Sequence, residues 1–470
     1  MKYLPILLIF LSSIYSKTIL SQSVFITKPY LQIGYDGSPN KLALLWHTAD
    51  TTSEWGVEVK LNNSWVKSTK IYFNRVFLKS YQPFVVYHAT LQNLPNGKDV
   101  SYRVLKNKVA VFESFAHAPK SKSQNYKFVV AGDIGALTIN QKKLANVMYE
   151  LNPDFVAVPG DIVYGHGLVN EYATKYWPIY NADNNDSTGA PLLRTIPFMA
   201  SVGNHDANDR DMDKTPEALA YYYFWEQPLN GPYDKEGSAL LPILKGSESN
   251  RNAFYEAAKN SYPKMTNFSY DYGNAHWTVI DADHYVNWSN KELQNWIIQD
   301  LKKSAKAKWH FVMFHQPGFN SSKAHFEEQH MRLLSPIFEA GNVDVVFNGH
   351  VHNYQRSFPL TFIPDTMDAS GTRVKIKIDG KLGGKWTLDK NFDGSKNKKP
   401  KGVIYIVTGA GGQRLYNTEQ TNLPDSWQPF TDKFISTDNT ISFIEVVKNK
   451  FQFKQINTKG ETVDSFIIEK

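Results

Sequence analysis

Asp154-Phe155-Val156-Ala157-Val158-Pro159-Gly160-Asp161 is an apolar run that stops at a proline, a glycine and a carboxylate. It is too short for a globular helix and lacks in–out alternation, so it reads as a strand buried on both faces. The chain continues through Ile162-Val163 to Tyr164. Four more runs end in the same way. Lys127-Phe128-Val129-Val130-Ala131 leads to Gly132-Asp133-Ile134-Gly135, and Pro197–Val202 leads to Gly203-Asn204-His205-Asp206. Trp309–Phe314 leads to His315, and Val343–Phe347 leads to Gly349-His350-Val351-His352. In an open α/β sheet, ligands collect beyond the C-terminal ends of the strands, so motifs far apart in sequence can share one site. The glycines before Asp133, Asp161, Asn204 and His350 suit sharp exits from strands. Helices are expected at Thr138–Leu151, Asn290–Lys303 and Phe326–Ala340, with further strands at Trp277–Asp281, Val403–Val407 and 441–468.

Upstream the texture differs. Ala43–Thr48, Val57–Lys60, Phe84–Thr90 and Ser101–Val104 are short strand-like runs separated by turns such as Asp36-Gly37 and Pro95-Asn96-Gly97. They predict an all-β sandwich over 24–118, then a polar linker, Pro119–Gln124, and an α/β domain over 125–470. Two domains agree with a length of 470 residues. Residues 361–401 form a Lys- and Gly-rich insertion. Within it Asp389–Gly394 imitates the start of a calcium loop, but the twelfth position is Pro400, which cannot ligate, and a turn is expected.

The formal charge of +7 is spread along the chain rather than concentrated, which argues for a solvated basic surface and against a nucleic-acid partner. Met1-Lys2, the apolar run Leu4–Leu11 and the small residues up to Ser23 predict a secretory signal over 1–23. No later stretch is apolar enough to span a membrane, so none is expected after signal removal. The chain has no cysteine, so it gains no disulfide stabilisation outside the cytoplasm.

The strand-end motifs offer two Asp, one Tyr, one Asn and several His. Carboxylate and phenolate favour a hard, highly charged ion; imidazole and amide favour a divalent one. Two ions ~3.5–4 Å apart can clamp both oxygens of an in-line displacement at phosphorus. Asp161 is the candidate bridge between them. Each motif alone is weak; five in order, each after a strand, form a strong signal.

The arrangement resembles the purple acid phosphatases, within the calcineurin-like metallophosphoesterases. Lys28-Pro29-Tyr30-Leu31-Gln32 and Leu44–Thr48 resemble the fibronectin-III-like N-terminal domain of plant-type members, and Asn353–Ser357 matches the flanking sequence. The resemblance implies a four-layer αββα metallophosphoesterase sandwich preceded by that all-β domain. It implies Fe3+ held by Asp133, Asp161, Tyr164 and His352, and a divalent ion (Zn2+, Mn2+ or Fe2+) held by Asp161, Asn204, His315 and His350. Asn204 and His205 would contact the substrate phosphate, His205 without binding metal, and His325 would assist the leaving group. Plant members carry two adjacent histidines there; here Ala324 precedes His325.

The expected function is that of a secreted or periplasmic acid phosphatase hydrolysing small phosphate monoesters by attack of a metal-bound hydroxide. A phosphodiesterase, nucleotide pyrophosphatase or phytase would use the same ligands. A non-catalytic surface binding protein would not need an intact ligand set. A homodimer is compatible with the sequence but not specified by it. His276, His310 and His330 read as packed residues, His166 as a residue near the cleft, and the aromatics at 221–225 and 285–288 as cleft walls or core.

Overall fold

A computed structural model describes residues 23–470 except 52, 69, 80 and 367–379. The predicted signal therefore lies outside the described residues, apart from Ser23. Two large sheets pack face to face. In the first, the strands Tyr126–Val130, Phe155–Pro159 and Phe198–Ser201 run parallel, in the order of the chain. In the second, Ala275–Val279, Trp309–Met313, Val345–Asn348 and Ile404–Thr408 do the same.

The apolar runs are continuous because each strand is buried on both faces. With a period of two, Phe128 and Val130 point between the sheets while Val129 points outward; likewise Phe311 and Met313 against Val312, and Val345 and Phe347 against Val346. The inner layer is aromatic. Phe128 stacks on Phe155 at 5.1 Å and meets Trp277 edge-on at 5.2 Å, and Trp277 lies 4.9 Å from Phe311. The outer faces are covered by helices. Ile139–Leu151 buries Leu144, Ala145 and Met148 against the first sheet, and Lys291–Lys303 buries Leu293, Ile297 and Leu301 against the second. The result is the expected four-layer αββα sandwich.

Both helices begin as the sequence suggests. The Thr138 side chain accepts from the Gln141 N–H, and the Asn290 side chain from those of Glu292 and Leu293. The single helix expected at Phe326–Ala340 does not form. His330–Leu334 is a 3-10 turn and only Ser335–Ala340 is α-helical, with Pro336 in its first turn. A proline disfavours the α conformation in the residue before it and lacks an N–H, so it starts a helix rather than continuing one.

The N-terminal strands form two layers around Leu44, Trp46, Val59, Tyr87, Tyr102 and Val104. One layer, Ser64–Lys67, Trp55–Leu61, Asp99–Lys106 and Val109–His117, stands alone. The other does not. Thr27–Gln32 pairs in parallel with Phe198–Ser201 at Gln32–Phe198, so that layer continues the first large sheet into one ten-stranded sheet. At its opposite end, Thr440–Val447 pairs antiparallel with Tyr126–Val130 and is followed by Lys450–Asn457 and Thr462–Glu469. Within the insertion, Leu360–Pro364 and Gly384–Leu388 form a hairpin. The Asp393 carboxylate accepts the backbone N–H groups of Ser395, Lys396 and Asn397, a turn rather than a calcium loop.

Candidate metal centre

The strand ends are shaped by close contact more than by glycine flexibility. Among the four glycines expected to supply sharp exits, only Gly160 has a positive φ, of 79°. The left-handed conformation falls instead on the functional residues: Asp133 at 62°, Asp161 at 50° and His350 at 69°. Such a conformation costs a non-glycine residue about 1–3 kcal/mol and persists where surrounding contacts over-determine it. Here the His350 N–H donates to Asp133 Oδ2 at 2.8 Å, tying one strand exit to the other. Gly132, Gly203 and Gly349 are required for space. A Cβ on Gly203 would run into the Asp161 carboxylate, one on Gly132 would come within 2.9 Å of Gly349 Cα, and one on Gly349 would come within 2.8 Å of Asp133 Oδ2.

Seven side chains meet in two adjoining groups. In the first, Tyr164 Oη donates to Asp133 Oδ1 at 2.7 Å and lies 2.8 Å from His352 Nε2, itself 3.3 Å from Asp133 Oδ1. In the second, His315 Nε2 lies 3.2 Å from each of Asp161 Oδ1, Asn204 Oδ1 and His350 Nδ1. Asp133, Asp161 and His315 are essentially inaccessible.

The hydrogen bonds around the second group show what it lacks. The far nitrogen of His315, Nδ1, donates to the Pro159 carbonyl at 2.8 Å, and that of His350, Nε2, donates to Glu328 Oε2 at 2.9 Å. With those protons assigned, His315 Nε2 and His350 Nδ1 present lone pairs to each other, to a carboxylate and to an amide oxygen. Asp161 Oδ1 also accepts the His205 N–H at 3.1 Å, but four clustered acceptors, three of them buried, cannot satisfy one another. Donors bonded at ~2.0–2.1 Å to a tetrahedral ion stand about 3.3 Å apart, close to the observed 3.2 Å. His352 is oriented in the same way, its Nδ1 donating to the Arg414 carbonyl at 2.9 Å so that Nε2 faces the first group. The donor set thus fits bound cations.

Electrostatics agree. Burial lowers the His315 imidazole, but the charge and hydrogen bond of Asp161 outweigh it and carry it up to about 10. In so negative a pocket a proton is the simplest substitute for a metal. Burial pushes the Tyr164 phenol well above its ordinary value, and Asp133 and Asp161 push it further, so its phenolate requires a strongly charged neighbour.

Two histidines flank the groups and face the cleft. His205 donates Nδ1–H to the Gly165 carbonyl at 2.9 Å, and its Nε2 lies 4.0 Å from Asp161 Oδ2, too far for a shared tetrahedral ion; its side chain is 35% exposed. His325 lies against His350, its ring tilted by 53° with centroids 4.0 Å apart, and its Nδ1 donates to Glu328 Oε1 at 2.6 Å. Asp206 stays out of the cleft. Its buried carboxylate accepts the N–H groups of Gly203, Ile162 and Val163 and locks two strand-end loops together.

Sequence reading missed two residues. Glu328 bridges His325 and His350, and their hydrogen bonds overcome burial to hold its carboxyl far below the usual range. Its only signal was the three-residue spacing from His325. Tyr416 stacks on His352 at 4.1 Å, on a loop that follows the Ile404–Thr408 strand just as the five motifs follow theirs. His166 pairs with Asp209 at 2.6 Å on the surface. His276 is held between Asp271 and Asp300, His310 bonds the Ser304 carbonyl and His330 the Ala282 carbonyl. Tyr221–Trp225 is wholly buried core rather than cleft wall.

Residues 126–354 match the family model for the calcineurin-like phosphoesterases. Purple acid phosphatase 23 of Arabidopsis thaliana is 26% identical over 308 residues, 59% of this chain and 59% of its own length. Purple acid phosphatase 21 of the same plant is 27% identical over 326 residues, 67% of this chain and 63% of its own. The chain therefore spans less than two thirds of the length of these relatives. Among solved structures, the purple acid phosphatase PPD1 from yellow lupin (Lupinus luteus) seeds superposes with a TM-score of 0.62 over 94% of this chain and 74% of its own, at 17% identity. PhoD gives 0.57 over 96% and 91%, at 13% identity. Both likenesses are likenesses of fold.

Proposed function

Because residues 126–354 match the calcineurin-like phosphoesterase model and the chain is similar to purple acid phosphatases, we propose that it is a binuclear metal-dependent acid phosphatase acting on small phosphate monoesters. The observation that carries this reading is the set of unsatisfied lone pairs around His315 Nε2, beside the Asp133–Tyr164–His352 group. Asp133, Asp161, Tyr164 and His352 would hold Fe3+; Asp161, Asn204, His315 and His350 would hold Zn2+, Mn2+ or Fe2+. Bound there, the ions would neutralise phosphate charge and supply a nucleophilic water near neutral pH.

The protein's own groups set the rest. Gly165 holds His205 by Nδ1, which leaves Nε2 to contact a phosphate oxygen, and Asn204 can offer its amide N–H there while its oxygen faces His315. Glu328 holds His325 by Nδ1, which leaves Nε2 to carry a proton to the departing alkoxide. The two imidazoles flank the ligand groups on separate loops, as separate contacts to the phosphate and to the leaving group require.

We further propose a signal over 1–23, a fibronectin-III-like unit over 24–118, a catalytic unit over 125–470 and a periplasmic or extracellular location. Among the described residues no helix is long and apolar enough to cross a membrane. Metal analysis with a visible spectrum, on protein purified without chelator, tests the centre. About one iron per chain with a visible phenolate band supports it; two zincs without colour move the reading to a generic metallophosphoesterase. Rates on p-nitrophenyl phosphate and on its bis ester separate monoesterase from diesterase. Unchanged activity in Asp161→Asn would sink the catalytic assignment.

A further inference from the structure

A cavity of about 560 Å³ lies where the N-terminal strands meet the catalytic part, away from the metal centre. Its volume lies within the ~300–1,000 Å³ common for small-molecule sites. One wall comes from His47 and Phe84, the other from Val169, Ala173, Trp177 and Phe224, with Gln82 exposed at the rim. Val169, Ala173 and Trp177 face it together because residues four apart share one helix face, through the turn Tyr172–Tyr176 in which Trp177 N–H bonds Tyr172 O.

Two polar atoms of the lining, His47 Nδ1 and Trp177 Nε1, make no hydrogen bond among the described residues. Tyr30 Oη donates its only proton to the Phe224 carbonyl at 2.9 Å, so the 2.9 Å contact with His47 Nε2 must be donated by the histidine. His47 Nδ1 is then a bare acceptor with no partner among the described residues. The ring is 1% exposed and is fixed between Trp177 and Phe224, each at 4.8 Å. Trp177, 7% exposed, has an Nε1–H donor without a partner. A ligand in the cavity can reach both atoms, and the buried Trp177 N–H gains a partner only that way. None of the described lining residues carries a formal charge, so they would leave an ionic ligand uncompensated.

We infer that this cavity is a binding site for a small neutral aromatic molecule that donates a hydrogen bond to His47 Nδ1, a phenol-like ligand. The aromatic walls take the ring, and the histidine selects for a hydroxyl.

The test uses the full-length protein with 4-ethylphenol and 4-ethylanisole, which differ by methylation of the donor. Saturation-transfer NMR and calorimetry should show the phenol binding about tenfold more tightly, because the ether leaves Nδ1 unpaired. Ala173→Leu, which fills the cavity from its wall, should weaken both at least about fivefold, and His47→Phe should abolish the preference. Equal affinity for phenol and ether in the native protein, full binding in Ala173→Leu, or no binding at millimolar ligand would overturn the assignment. The native comparison and Ala173→Leu decide the matter even if His47→Phe does not fold.

Discussion

Replacing Glu328 with glutamine probes the link between the proposed divalent site and the residue proposed to serve the leaving group. Glu328 accepts two protons, one from His350 at 2.9 Å and one from His325 at 2.6 Å. A glutamine of the same shape has one acceptor and one donor, so it can serve one histidine and must present N–H to the other. At least one charge-assisted hydrogen bond is lost, worth about 1.5–3 kcal/mol. If the loss falls on His350, its ring is no longer held with Nδ1 toward His315, and divalent-metal affinity should drop about 10–100-fold. The proposed iron site should not change, because Asp133, Tyr164 and His352 make no contact with Glu328 among the bonds described. The assay is chelator competition on Glu328→Gln, following each equivalent of metal separately, with phosphatase rate measured at saturating metal. One weakened equivalent is expected where the loss falls on His350, and a kcat deficit that excess metal does not repair where it falls on His325. Weakening of both equivalents, or of neither with kcat unchanged, would refute the reasoning.

Other outcomes can be read independently. His276 sits between Asp271 at 2.8 Å and Asp300 at 3.0 Å; burial lowers its imidazole, but the two carboxylates outweigh this and raise it to about 9. Its folded value exceeds the ordinary 6.5, so its contribution is complete below about pH 6.5 and is lost as pH rises through about 9. Denaturant midpoints should show the native protein losing about 1–3 kcal/mol across that window relative to His276→Asn, after discounting for half-exposed Asp271. Phe128→Ala opens the inner aromatic layer at its centre and should cost about 3–5 kcal/mol in urea unfolding. In Gly203→Ala the new methyl meets the Asp161 carboxylate. It should cost about 1–3 kcal/mol of stability and, unlike Phe128→Ala, also reduce metal content.

The convergence of the five motifs was legible because a strand buried on both faces writes itself as an unbroken apolar run. Its C-terminal end is therefore visible in one dimension. Glu328 and Tyr416 were not legible, since neither follows its own motif: one reaches the site from a turn after His325, the other from a sixth strand-end loop. The break in the predicted 326–340 helix was legible in principle from Pro336, yet apolar spacing concealed it. The joining of the N-terminal layer to the catalytic sheet was not legible at all. It depends on the parallel edge contact at Gln32–Phe198, for which a local pattern has no signal.

The amino-acid sequence alone determined the kind of protein: an α/β sandwich with hard and borderline metal donors at successive strand ends. Local rules suffice for this, because strand burial and donor chemistry belong to short segments. Only the tertiary structure decided which nitrogen of each histidine is free, which glycines are needed for space, and which carboxylate ties His325 to His350. Those depend on hydrogen bonds between residues as far apart as Asp133 and His350, 217 positions along the chain, and such bonds exist only once the sheets have brought their ends together.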